Sequence, residues 1–210
     1  MTDIFAIFVA GLIMGLRHAL DADHIAAVST MGSSSWKIAS KIGAVWGIGH
    51  TAAFLIAGAA ALVFGLRISE ALADKFELAV GVVLILLGFD LIRKVIREKI
   101  HAHEHTHDGS THTHFHSHLS SDAHHHYHRP FAVGALHGLA GSAALFILIL
   151  GSADSVAAGF VFLLTFGIGL ILAMAAISSA LSVLQIKNLR LVSAGASIVI
   201  GAQIVLSVFR

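Results

Sequence analysis

Six long runs of apolar residues constrain the fold of this chain more than any other feature. A helix needs about 20 predominantly apolar residues to cross the hydrocarbon core of a bilayer. The runs that approach or exceed this length are 4–31, 42–66, 78–92, 131–151, 155–184 and 189–209. Only 12% of the residues are charged, whereas a soluble domain of average composition carries about 25%. The sequence therefore predicts an all-α integral membrane protein with six transmembrane helices.

The lysines and arginines that flank the runs are divided unequally between the two sides of the predicted bundle. One side carries Lys37, Lys41, Arg93, Lys94, Arg97, Lys99, Arg129, Lys187 and Arg190, and the other carries Arg67, Lys75 and Arg210. Connections rich in lysine and arginine stay on the cytoplasmic side. We therefore expect a multi-pass protein of a bacterial-type inner membrane, with both termini outside. The chain starts without the basic segment of a signal peptide, so the first helix is expected to be retained.

The connection 101–129 is a low-complexity tract in which histidines alternate with small polar residues. Of the sixteen histidines in the chain, all but four lie in this tract. A segment of this composition buries no core, so it is predicted to be a disordered cytoplasmic loop that binds or senses metal. A solvated spacer is the simpler alternative. The loop divides the chain into a first unit, 1–100, and a second unit, 130–210.

The two units share short glycine-containing motifs. GLRHAL from Gly15 aligns with GALHGL from Gly134, and GIG from Gly47 aligns with GIG from Gly167, at offsets of 119 and 120 residues. Because each unit contains three predicted helices, the second copy would cross the membrane in the opposite direction. The sequence thus predicts two inverted three-helix repeats. Transporters use this plan with the substrate bound near the middle of the membrane.

Ionisable residues inside the predicted helices are the candidate functional groups. The remaining histidines are His18, His24, His50 and His137, and the first helix also contains Arg17, Asp21 and Asp23. A charged side chain at a helix centre costs about 2.5–3.5 kcal/mol on insertion scales, so such groups persist where they pair, face water or bind an ion. At about 1.5 Å of rise per residue, three of the histidines lie roughly 10–13 Å deep from the cytoplasmic ends, and His18 lies at about 19 Å. This similar depth predicts a shared site in the inner half of the membrane.

Two alternatives concern the first helix. In an unbroken helix Asp23 would point about 140° away from His18. Either Asp23 has a separate role, or the helix is unwound near Ala22, which is permitted where the backbone lines a cavity. Arg17 and Asp21 are four residues apart, so a structural ion pair between them is the simpler interpretation of these two charges.

The chemistry of these side chains favours a transition-metal ion. Cysteine is absent, and imidazole and carboxylate without thiolate suit nickel, zinc, cupric copper, iron or cobalt. A single buried histidine would be more simply explained by a hydrogen bond between helices. Four histidines at similar depth beside two aspartates favour metal binding instead. The candidate ligands are His18, Asp21, Asp23, His24, His50 and His137.

The first-helix motif resembles the H-x4-D-H signature of the nickel/cobalt transporter superfamily. His18, Asp23 and His24 occupy its fixed positions. The segment Gly49-His50-Thr51 is similar to a second element of the family, and HGLAGS from His137 resembles the short, six-span, urease-accessory-type members. A later acidic motif of the longer permeases has no counterpart around Gly138–Ser142.

The resemblance implies a transporter of Ni²⁺, with Co²⁺ as the alternative substrate, rather than an enzyme. No resident cofactor is expected, and the expected partners are the metal ion, membrane lipid and a cytoplasmic metallochaperone. The net charge of +1 gives no indication of nucleic acid. Uptake is slightly favoured over efflux because the membrane potential drives a dication inward. The alternatives are a membrane di-iron hydroxylase and a bis-histidine haem protein, whereas a P-loop motif is absent from the sequence.

Overall fold

The computed structural model describes residues 4–66, 69–100, 103–107, 110–114, 127–140, 155–185 and 187–210. Its helices are α1 (Ile4–His18), α2 (Ala22–Met31), α3 (Trp36–Phe64), α4 (Glu70–Ile100), α5 (His128–Ala140), α6 (Val156–Leu181) and α7 (Lys187–Val208), with a 3-10 helix at Ser182–Gln185. Strands β1 (His103–His107) and β2 (Ser110–His114) form an antiparallel pair.

The described helices make this a multi-pass, all-α membrane protein. Three segments are long and apolar enough to cross a membrane, namely α3, α6 with its 3-10 extension, and 189–208 in α7. The pair α1 and α2 would be a fourth, bent by 60°. Helix α4 covers the predicted third run and continues beyond Asp90. The predicted fourth run, 131–151, is described only as far as Ala140, so the six-span count stays a prediction.

The β-strand pair differs from the disorder expected for the loop 101–129. In β1 and β2 histidine alternates with threonine or glutamate after Ser110 is set aside, and the register places Thr106 opposite Thr111. Threonine favours strands because its branched side chain suits a pleated surface. This local propensity explains a ribbon where composition alone predicts no regular structure. The rest of the loop up to residue 126 lies outside the described residues.

The break between α1 and α2 shows that the first predicted helix is unwound, which was one of the two alternatives for Asp23. Helix α1 ends at His18 and α2 begins at Ala22, so the chain is unwound just before Asp23. Arg17 and Asp21 do not lie four residues apart in one helix, because α1 ends at His18 and Asp21 precedes α2. The Asp21 carboxylate instead lies 2.8 Å from Nδ1 of His18. It therefore makes no side-chain cap for α2, although it occupies the position where aspartate usually caps a helix.

Glycines allow the helices to approach each other closely. Helix α3 packs against α5 and α6, α1 packs against α6, and α4 packs against α7. A side chain added at Gly15 would overlap the main chain of Phe166 in α6, and one added at Gly134 would overlap the main chain of Trp46 in α3. These glycines therefore serve contacts inside one bundle, which is a general use of small residues in membrane helices.

Candidate metal centre

Three imidazole rings from three chain segments meet in the interior of the bundle. His18 ends α1, His24 lies in the first turn of α2, and His50 lies near the middle of α3. Their ring centroids are 4.6 Å apart for His18 and His24, and 5.3 Å apart for each of the other two pairs. One ligand nitrogen from each ring lies within 4.8 Å of the others. The break in the first span is what allows two of these rings to face the third.

Two of the rings are held in place through Nδ1. Nδ1 of His18 contacts the carboxylate of Asp21 at 2.8 Å, and Nδ1 of His24 lies 3.0 Å from the main-chain oxygen of His18. Because a carbonyl oxygen only accepts, the proton of His24 is on Nδ1 and the lone pair is on Nε2. Metal-binding histidines are commonly oriented in this way, with one nitrogen donating to an oxygen and the other binding the ion.

Several buried nitrogens at this place have no hydrogen-bond partner among the described residues. They are Nε2 of His18, Nε2 of His137 and both ring nitrogens of His50, whose residue is only 1% exposed. Leaving a buried polar group unsatisfied costs about 1–3 kcal/mol. Such groups are rare in native proteins and call for an explanation. An ion bound between the rings would supply the missing partner.

His137 contributes a fourth ring beside this triad. Its centroid lies 5.7 Å from that of His24, and its Nδ1 contacts the main-chain oxygen of Val133 at 2.8 Å. Its Nε2 is thus the nitrogen that carries the lone pair. His137 does not belong to the set of nitrogens within 4.8 Å of one another. It lies next to the triad and could join it after a small displacement of α5.

A second set of ligand atoms overlaps the first. Asp21, Asp23 and His24 also bring one ligand atom each within 4.8 Å of the others. The side chains of Asp21 and Asp23 are 52% and 29% exposed, respectively, whereas His24 is buried. His24 is common to both sets, so the exposed Asp21, the half-buried Asp23 and the buried imidazoles adjoin one another.

The spacing of the three imidazoles is close to what one bound ion needs. A first-row transition metal lies about 2.0–2.1 Å from an imidazole nitrogen, so two nitrogens on the same ion are at most about 4.2 Å apart. The ligand nitrogens of the three rings all lie within 4.8 Å of one another, which is close to that spacing.

Aromatic residues that the sequence reasoning missed enclose the imidazoles. The ring of Trp46 is 4.9 Å from that of His24, 5.4 Å from that of His50 and 5.3 Å from that of His137. Phe166 lies 5.3 Å from His18 on the other side. Both aromatic residues are fully buried. The spacing of Trp46 four residues before His50 on one helix was the signal available in the sequence.

Asp90, for which the sequence suggested no role, lies elsewhere. Its Oδ2 is 2.8 Å from Nη2 of Arg129 and 3.1 Å from Nζ of Lys94. It therefore joins α4 to the start of α5 and takes no part in the histidine cluster. The structure brings five of the six candidate ligands predicted from the sequence together in two overlapping sets, and it places His137 beside them but outside both sets.

These features define a polytopic helical membrane protein with a buried imidazole cluster between its helices. The chain belongs to the family described as cytochrome c biogenesis protein transmembrane region, whose profile matches residues 6–205. It is 30% identical over 183 residues to the urease accessory protein UreH of Bacillus sp. (strain TB-90), covering 86% of this chain and 78% of that protein. This relationship agrees with the urease-accessory-type part of the expected resemblance. No solved structure matches the chain.

Proposed function

We propose that this protein transports a divalent transition-metal ion, Ni²⁺ with Co²⁺ as the alternative, across the membrane. The observation that carries the proposal is the convergence of His18, His24 and His50, in which buried nitrogens of His18 and His50 have no hydrogen-bond partner among the described residues. Imidazole with nearby carboxylate is a ligand set that suits nickel and cobalt. The resemblance to nickel/cobalt transporters and the similarity to a urease accessory protein favour Ni²⁺ between the two.

The two overlapping ligand sets suggest how the ion would enter the site. A hydrated dication would first contact the exposed carboxylates of Asp21 and Asp23, because these oxygens tolerate water-bound ions. It would then exchange water for His24, which belongs to both sets, and finally for His18 and His50. The carboxylates would offset the charge of the ion at each stage. Asp21 would also hold the His18 ring through Nδ1.

Equivalent contacts in the two units support the proposed inverted repeats. A side chain added at Gly49 would overlap the main chain of Phe131, and one added at Gly169 would overlap the main chain of Leu12. Gly49 and Gly169 are 120 residues apart, and Leu12 and Phe131 are 119 residues apart. The same interhelical contact thus occurs twice with the roles of the units exchanged.

A contact between α4 and α7 has the same symmetry. Gly81 approaches the main-chain oxygen of Gly201, and Gly201 approaches that of Gly81, at an offset of 120 residues. Two units related in this way can rock against each other and expose a shared site to either side in turn. We propose that units 1–100 and 130–210 move in this manner around the histidine cluster.

In this proposal, the distribution of charged residues sets the orientation of the protein in the membrane and the direction of transport. The side with more lysine and arginine would face the cytoplasm, together with the loop 101–129, and both termini would lie outside. A dication moving inward gains about 4.6 kcal/mol per 100 mV, so uptake needs no other energy source. The histidines of the loop would then receive the ion and pass it to a cytoplasmic metallochaperone.

Other functions fit the site less well. The matched family is described by cytochrome c biogenesis, but thiol–disulfide transfer needs cysteines and the chain has none. Bis-histidine haem binding needs room for a porphyrin between two rings, whereas His18, His24 and His50 contact one another with centroids no more than 5.3 Å apart. A di-iron hydroxylase needs about eight histidines at fixed spacing, which the described helices do not assemble.

Flux measurements in proteoliposomes test the proposal. We expect uptake of ⁶³Ni²⁺ by the reconstituted full chain, and a loss of at least about tenfold in His24→Ala and in His50→Ala. His128→Ala is the matched control, because His128 is exposed at the start of α5. Size-exclusion chromatography verifies that each variant is folded. Equal flux in His24→Ala, His50→Ala and His128→Ala would refute the assignment of the site.

A further inference from the structure

A cavity at one end of the bundle carries several positive charges. Its volume is about 260 Å³, and its lining includes Lys94 of α4, Arg129 of α5 and Arg190 of α7. The cations therefore come from three helices that are far apart in the sequence. Thr30, Tyr127 and Gln185 add polar groups to the same wall. We propose that this cavity binds a phosphate-bearing anion.

The balance of charge around the cavity is the main argument. Asp90 contacts two of the cations, Arg129 at 2.8 Å and Lys94 at 3.1 Å, and so offsets one positive charge. Lys94 and Arg129 with Asp90 alone retain a net positive charge. Like charges around a partly enclosed cavity repel one another more strongly than they do in bulk water. A bound anion would remove this repulsion, and arginine side chains are well suited to phosphate oxygens.

The cavity is separate from the histidine cluster. Thr30 lies six residues beyond His24 on α2, and Ile42, which also lines the cavity, lies eight residues before His50 on α3. At about 1.5 Å per residue these separations are roughly 9 and 12 Å along the helices. The positive charge also makes the cavity unsuitable for a second divalent cation. The anion site therefore does not depend on the proposed transport function.

Two sources could supply the phosphate group. One is the headgroup of an anionic phospholipid, and the other is a soluble phosphate compound. Trp36, which is 60% exposed, begins α3 near this end of the bundle, with Nζ of Lys37 5.6 Å from its ring centroid. Exposed tryptophan beside a lysine is typical of the level of lipid headgroups. Basic pockets between membrane helices at this level bind anionic headgroups in other proteins.

Thermal unfolding of the full chain tests the proposal and separates the two sources. One arm compares nanodiscs of phosphatidylcholine with nanodiscs that also contain phosphatidylglycerol, and the other adds inorganic phosphate to the phosphatidylcholine nanodiscs. We expect at least one arm to raise the Tm by about 3 °C or more, because a ligand that binds only the folded state stabilises it. The responding arm identifies the source.

Variants show whether the cavity is responsible. Lys94→Gln and Arg190→Gln should each lose at least half of the Tm increase, measured against their own baselines, and Lys94→Arg should retain it. Asp90→Asn should enlarge the increase, because it removes the carboxylate that competes with the anion. Arg93→Gln is the matched control, since Arg93 is exposed beside Lys94 and does not line the cavity. The proposal is overturned if neither arm raises the Tm, or if Arg93→Gln loses as much as Lys94→Gln.

Discussion

Nδ1 of His24 lies 3.0 Å from the main-chain oxygen of His18, across the break between α1 and α2. The same oxygen accepts a hydrogen bond from the main-chain N–H of Asp21 at 3.1 Å. Carbonyl groups at the end of a helix have no partner in the helix itself. His24 supplies one here through Nδ1, and its Nε2 lies 3.7 Å from Oδ2 of Asp23. The interruption of the helix and the assembly of the histidine cluster therefore depend on each other.

The carboxylate of Asp21 should raise metal affinity through His18 as well as through its own charge. In Asp21→Asn the charge-assisted hydrogen bond to Nδ1 of His18 becomes a weaker neutral one. We expect the affinity for Ni²⁺ to fall by about 10–100-fold, the usual effect of removing such a supporting group. Competition with a chromophoric chelator measures this change. Asp74→Asn, on an exposed part of α4, should bind as the original protein does, and equal affinities in the two variants would contradict the prediction.

Trp46 should report directly on metal in the histidine cluster. Its ring lies 4.9–5.4 Å from three of the imidazoles, whereas Trp36, the second of the two tryptophans, is exposed. Paramagnetic Ni²⁺ or Co²⁺ bound between the rings should quench the fluorescence of Trp46. The Trp36→Phe variant isolates this signal.

Saturable quenching should persist in Trp36→Phe and disappear in Trp36→Phe with His50→Ala. Zn²⁺, which has a filled d shell, should displace Ni²⁺ and restore the emission. Quenching of the same size and midpoint with and without His50 would show that the ion binds elsewhere.

The close contact between α5 and α3 should be intolerant of a methyl group. A Cβ at Gly138 would overlap main-chain atoms of His50, so Gly138→Ala must push apart the helices that carry His137 and His50. We expect a loss of about 1–3 kcal/mol in stability, as is usual for overpacking, together with weaker Ni²⁺ binding. Thermal unfolding in detergent measures the first effect. Gly195→Ala is the control, because nothing lies within 4 Å of the added atom; similar Tm values for both variants would contradict this account of the interface.

The histidines of the loop should bind metal without being required for its passage. Replacing the histidines of 101–126 by serine leaves α5 and its ion pair with Asp90 intact. We expect fewer bound Ni²⁺ ions per chain and altered regulation or affinity, but continued ⁶³Ni²⁺ flux. Complete loss of flux in a folded variant would place the loop on the transport path.

The apolar runs alone were sufficient to predict a helical membrane protein, because the cost of unpaired backbone groups in lipid leaves few other structures. The identities of His18, His24, His50 and His137 could also be predicted as candidates, since ionisable groups within such runs require a partner. Depth counted at a fixed rise per residue placed them at similar levels. These conclusions need only local composition and spacing.

The tertiary structure decided what depends on backbone direction and on contacts between distant segments. Only the 60° bend between α1 and α2 shows how Asp23 reaches the same side as His24, and only the packing of α3 shows that Trp46 encloses the rings. The pairing of Asp90 with Arg129 joins residues 39 positions apart, which no helical periodicity predicts. The sequence determined which polar groups need a partner inside the membrane. The tertiary structure determined which residues are those partners, because a buried polar group can pair with any segment that packing brings within reach.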